Sequence, residues 1–124
     1  MLIFWLIVIA LIVAGIGASF VANRGPGQLD GFAQCLKDKG AIFYGAFWCP
    51  HCQATKKMFG KSARLLPYVE CSTPDGQGQL QICKDKNITS YPTWVFPDGP
   101  TLSGERTLME LASSSSCVLP QGSQ

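Results

Sequence analysis

Charge is missing from the first 22 residues: Met1 to Ala22 hold no acidic or basic side chain, and Ser19 is their single polar one. A helix of this length reaches about 33 Å, enough to cross a hydrocarbon core of about 30 Å. No Lys or Arg precedes the apolar run and no clean A-x-A site follows it, so an anchor in lipid is expected, ahead of a removed signal peptide or a buried helix. Histidine is nearly absent too. His51 is the only one, so a histidine-ligated metal centre has nothing further to use, and no metal or other cofactor is expected. A Cys-His hydrolase would need a better-placed base than His51, two residues from Cys49 on one tight turn. A basic stripe is lacking as well: ten basic and eight acidic residues are scattered through the chain, which points away from nucleic acid. There is no internal repeat.

What the chain does have is cysteine. Cys35, Cys49, Cys52, Cys71, Cys83 and Cys117 make six in 124 residues, many for a reducing cytosol and ordinary for an oxidising compartment. Anchor and cysteines together predict a single-pass membrane protein whose domain faces an extracytoplasmic, periplasm-like space. Arg24, directly after the anchor, pulls the other way under the positive-inside rule, but it is one charge.

Residues 23–28 (NRGPGQ) read as a linker, since two Gly and a Pro cannot continue a helix. The domain is expected over 29–116, with a tail at 117–124. Leu29, Phe32, Ala33 and Leu36 recur at helical spacing up to Gly40. Residues 41–47 (AIFYGAF) have the pattern of a buried strand, and Cys49 opens a helix with Pro50 at its first position, running to Gly60. Residues 65–71 suit a second strand, 79–86 a short helix, 93–96 a third strand and 101–103 an edge strand after the Pro97-Asp98-Gly99-Pro100 turn. Residues 107–114 close with a helix whose inner face carries Leu108 and Leu111, and the Ser-rich, Pro-ended stretch from Ser113 to Gln124 is expected to fray except at Cys117. The fold class is α/β, a four-stranded mixed sheet flanked by helices after one N-terminal transmembrane helix.

The motif that carries chemistry is Trp48-Cys49-Pro50-His51-Cys52. Two thiols three residues apart can close a small disulfide loop. At a helix N-terminus the free N–H groups and the dipole stabilise a thiolate at Cys49, below the free value of about 8.5, and a cationic His51 pushes the same way. Stabilising the thiolate makes the pair more oxidising toward client thiols. Cys52, one turn further in, should be less exposed and more thiol-like, suited to resolving a mixed disulfide.

The stretch 45–53 (GAFWCPHCQ), followed by Ser90-Tyr91-Pro92-Thr93-Trp94, resembles the thioredoxin superfamily. It is most similar to the thioredoxin-like domain fused to or partnering bacterial vitamin K epoxide reductase homologues, over about 29–112, including Tyr68-Val69-Glu70-Cys71 and Gly104 before the last helix. The resemblance implies a thioredoxin-like fold and a cis-proline at Pro92 beside the active cysteines. It also implies that Pro92 keeps an N–H away from the Cys49 sulfur and that Tyr91 offers its backbone to a client peptide. Phe43 departs from the pattern, for it stands where thioredoxins commonly bury a carboxylate. The proton for activating Cys52 must then come through water or another side chain, which weighs against an efficient reductase. The Pro-His dipeptide resembles DsbA-type oxidases instead, whose active thiol is very acidic.

Cys71 and Cys83 flank an eleven-residue, turn-rich segment. A structural disulfide there is the plain reading, and a shuttle pair passing electrons to Cys49-Cys52 or two free thiols are the alternatives. A four-cysteine zinc site would need C-x2-C-x18-C-x11-C, without the second close pair of common zinc ribbons. Cys35 and Cys117 form the remaining candidate pair. Asn87-Ile88-Thr89 fits an N-glycosylation acceptor, a short pattern that arises by chance. Most aromatic residues read as core, while Trp48 and Tyr91 are expected to edge an apolar client groove.

These features predict a membrane-anchored disulfide oxidoreductase serving client proteins. Its reoxidation would fall to a membrane redox partner of the vitamin K epoxide reductase-like kind that the resemblance implies. An exported reductase or isomerase, or a non-catalytic client-binding module, are the alternatives.

Overall fold

The computed structural model describes residues 1–22 and 25–123, so Asn23, the flanking charge at Arg24 and Gln124 lie outside the described residues. Helix α1, Leu2–Ala22, is apolar all round, with a mean hydropathy of 2.7 over Leu2–Val21. It is long and apolar enough to cross a membrane. The remainder runs α2 (Asp30–Asp38), β1 (Ile42–Gly45), α3 (Pro50–Phe59), β2 (Tyr68–Glu70), α4 (Gln81–Lys84), β3 (Thr93–Val95), β4 (Thr101–Ser103) and α5 (Leu108–Ser115). The strands form one mixed sheet in the order β2-β1-β3-β4, with β1 parallel to β2 and the other pairs antiparallel. This is a thioredoxin-like α/β fold.

Both faces of the sheet are covered, as the alternation along β1 requires. Phe43 faces a core built with Phe32 and Leu36 of α2, Phe59 of α3, Trp94 of β3 and Leu111 of α5. Its ring stacks on Trp94 at 4.8 Å between centroids, as expected of register partners on neighbouring strands. Each such side chain contributes on the order of 2 kcal/mol of burial before entropy is charged. Tyr44, next along, faces the other way into a smaller cluster with Cys71, Cys83 and Ile88.

The helix ends follow local chemistry. Thr107 and Glu110 form a reciprocal capping box at the start of α5. Gly60, at φ 55°, ends α3, after which a 3-10 segment covers Gly60–Leu65. That segment takes Leu65 from the strand expected over 65–71 and Leu66 caps it, so β2 begins only at Tyr68 and ends at Glu70. Its Ser62 is fully buried and accepts a bond from the Leu29 N–H at 3.0 Å, tying it to the entry of α2. At the other end α5 runs on to Ser115, past the point where fraying is expected. Cys117 is buried in the main core and Leu119 packs against it.

Candidate active site

Pro50 is the first residue of α3, where a missing N–H leaves no bond unmade. Cys49 therefore stands just outside the helix as its cap, with extended backbone, and its Sγ accepts from the Cys52 N–H at 3.2 Å. The loop before it is clamped at Phe47: the N–H donates to Glu70 Oε1 at 2.8 Å and the carbonyl accepts from Gln53 Nε2 at 2.9 Å. Strand β2 and helix α3 thus fix the approach to Cys49 from two sides.

Both thiols are buried, Cys49 at 3% exposure and Cys52 at 0%, so the difference in access between them is smaller than the sequence suggests. They are chemically distinct all the same. Burial, followed by the neighbouring Cys49 thiol, pushes the Cys52 thiol up to about 12. Pro92 follows a cis peptide bond from Tyr91, and the Cys49 thiol donates to the Tyr91 carbonyl at 3.7 Å. Cys49, Cys52, Tyr91 and Pro92 are therefore one cluster, although some forty residues separate the two halves in sequence.

Trp48 is half exposed beside them and meets Tyr91 edge to face at 6.0 Å. Its indole Nε1 donates to Ser72 Oγ at 2.9 Å, and Gly76 lies against both Trp48 and Phe47. The Tyr91 hydroxyl accepts from Gln79 Nε2 at 2.8 Å. Ser72, Gly76 and Gln79 all belong to the loop that the Cys71–Cys83 disulfide closes. The aromatic rim beside Cys49 is thus held by that loop.

The second disulfide joins Cys35 to Cys117, which leaves Cys49 and Cys52 as the free thiols. Because Cys71 and Cys83 are bonded to each other, a four-cysteine zinc arrangement has only two thiols left to use. His51 pairs with Glu105, Nδ1 to Oε2 at 2.9 Å, both side chains being largely exposed.

No family model matches the chain. Among curated proteins, the thiol-disulfide oxidoreductase LTO1 of Arabidopsis thaliana is 44% identical over 97 residues. This chain is similar to part of LTO1. The match takes in 74% of the chain and 25% of LTO1, so the chain spans about a quarter of the length of the curated relative it matches.

Four contributors to the site carry no sequence signal of their own. Tyr68 and Glu70 lie within a segment shared with the thioredoxin-like resemblance, without a role attached. Ser72 and Glu105 reach their partners across 24 and 54 residues. Only the sheet order and the return of the chain after β4 bring them in.

Proposed function

We propose that this protein is a membrane-anchored thiol-disulfide oxidoreductase that exchanges disulfides with client proteins through Cys49 and Cys52. The observation that carries the reading is the pairing of roles at one helix start: a capping sulfur with residual access, and a fully buried partner thiol one turn in. The likeness to LTO1 supports the same class of chemistry, and α1 supplies the anchor.

In the oxidising direction a client thiolate attacks Cys49 Sγ, the Cys49–Cys52 bond breaks, and Cys52 leaves with the electron pair. A second client thiolate then attacks the client sulfur of the mixed disulfide and Cys49 leaves as a thiolate. The client departs oxidised and the domain holds the dithiol. A membrane redox partner of the vitamin K epoxide reductase-like kind would take the two electrons, with the domain on the extracytoplasmic side. The Pro50-His51 dipeptide and the apolar Phe43 in place of a buried carboxylate favour this direction over a reductase.

The test is the equilibrium potential of Cys49–Cys52 against glutathione in the full chain held in detergent. A value near that of DsbA, about −120 mV, supports the oxidase, whereas one near that of thioredoxin, about −270 mV, overturns that direction. Failure to exchange with glutathione at all overturns the reading as a whole.

A further inference from the structure

Cys52 has a proton problem. Its side chain is wholly enclosed, and burial together with the neighbouring Cys49 thiol pushes its own thiol up to about 12, so it rests protonated at neutral pH. Yet in thiol–disulfide exchange Cys52 must shed its proton when it attacks Cys49 Sγ and regain one when it is displaced. Phe43 of β1, in the same core, has nothing to exchange.

The polar group that reaches this side of Cys52 is Tyr68. Both border the position where Gly45 lacks a side chain: a Cβ built there would lie 3.0 Å from Cys52 Sγ, 2.7 Å from Tyr68 Cε2 and 3.3 Å from Tyr68 Oη. The sulfur and the hydroxyl therefore border the same narrow gap, no more than about 6 Å apart, and a small shift of the Tyr68 ring would bring them together. The hydroxyl donates to Glu70 Oε2 at 2.8 Å. Glu70 is only partly buried and also accepts from the Phe47 and Cys71 N–H groups. A path thus runs from an enclosed thiol, through a phenol, to a carboxylate that meets solvent.

The charges around Tyr68 suit a relay. Lys56 of α3 holds its ammonium 3.7 Å from the ring centroid, where it offsets negative charge as the phenolic proton moves. Glu70 of the same strand and Cys49 and Cys52 of the α3 start are the other titratable groups acting on it. Burial first, then Glu70, raises the Tyr68 hydroxyl well above the ordinary phenol range. It stays a phenol at rest and passes a proton on only as it receives one.

We propose that Tyr68 and Glu70 are the proton path of Cys52. This rests on the thiol–disulfide reading above. When Cys52 attacks Cys49 Sγ, the Cys52 proton goes to Tyr68 Oη while the Tyr68 proton goes to Glu70 Oε2. The Cys49–Cys52 bond forms, the bond from Cys49 to its partner sulfur breaks, and the partner leaves with the electron pair. In the oxidising direction the same protons run backward, from Glu70 through Tyr68 to the departing Cys52.

The test caps Cys49 of the 124-residue chain, in detergent micelles, as a mixed disulfide with 2-nitro-5-thiobenzoate. Release of the coloured thiolate as Cys52 closes on Cys49 is followed from about pH 5 to about pH 9. The wild-type rate is expected to level off by neutral pH. Tyr68→Phe, which keeps the ring and leaves Glu70 its bonds to Phe47 and Cys71, is expected to be at least about tenfold slower at neutral pH. Its rate should climb about tenfold per pH unit across the range, as hydroxide takes over. Should that variant not fold, Glu70→Gln, which keeps Oε1 for the Phe47 N–H, carries the same expectation. A variant that releases within about twofold of wild type, with the same profile, overturns the relay and leaves the exchange reading standing. A wild-type chain that releases nothing overturns both.

Discussion

The Cys49 sulfur lies 3.7 Å from the carbonyl oxygen of Tyr91, across 42 residues of chain. A client strand laid along Tyr91 would bring its own sulfur to Cys49, the thiol with residual access, leaving Cys52 behind it. Removing Cys52 should therefore trap clients. Cys52→Ala is expected to accumulate mixed disulfides through Cys49 at least about tenfold over wild type, read as reducible high-mass bands after acid quenching. Cys49→Ser should give none, and equal trapping by both variants would sink this assignment of roles.

Gly45 is required by packing. An added methyl would collide with Tyr68 on one side and the Cys52 sulfur on the other, both in a well-filled interior. Gly45→Ala is expected to cost about 1–3 kcal/mol in urea unfolding, and to alter the rate at which Cys52 resolves a mixed disulfide. Wild-type stability would mean that Tyr68 moves aside freely.

The two disulfides should differ in worth. Cys71–Cys83 spans 12 residues and Cys35–Cys117 spans 82. Loop-closure entropy puts them at about 3 and about 4–5 kcal/mol. Replacing Cys35 and Cys117 together with Ser is thus expected to destabilise more than replacing Cys71 and Cys83. The shorter bridge should show its loss elsewhere: with the Ser72 and Gln79 loop released, Trp48 fluorescence and client affinity change. Urea titrations and a client-binding assay decide both points.

Asp30 ties the start of α2 to Arg64 through two bonds of 2.8 Å each. The guanidinium, with smaller help from Ser62 and Gly27 against a desolvation penalty, holds this carboxyl well below the usual carboxylate range. Since its value falls on folding, the stabilisation is complete above about pH 4 and fades as the pH drops further. Asp30→Asn should therefore have a lower Tm than wild type at pH 7, modestly so for a solvent-accessible pair, and the two should converge in acid. A gap that persists unchanged at about pH 2 would contradict this.

The readable parts of the sequence were those in which neighbours along the chain decide the outcome. Leu29, Phe32, Ala33 and Leu36, spaced as one helical face, are all buried. Pro50 and Gly60 mark the ends of α3, and Pro97 to Pro100 turn the β3–β4 hairpin. Strand limits came out too generous, because an apolar residue is buried for more than one reason. Ala41 and Leu66 are enclosed without pairing in the sheet, and Phe47 is half exposed at the rim. The 3-10 segment over Gly60–Leu65 has no apolar period to announce it. Links such as Trp48 to Ser72 and His51 to Glu105 exist only once the sheet order has folded distant segments together.

The bond between Cys35 and Cys117 closes everything from the middle of α2 to just past the end of α5 into a covalent ring. A protease that nicks any single loop inside it, at Gly76 or Asp98 for instance, opens the ring without parting the pieces. Such a nicked chain should migrate at full mass until a reductant is added, and until then both fragments would stay joined to α1.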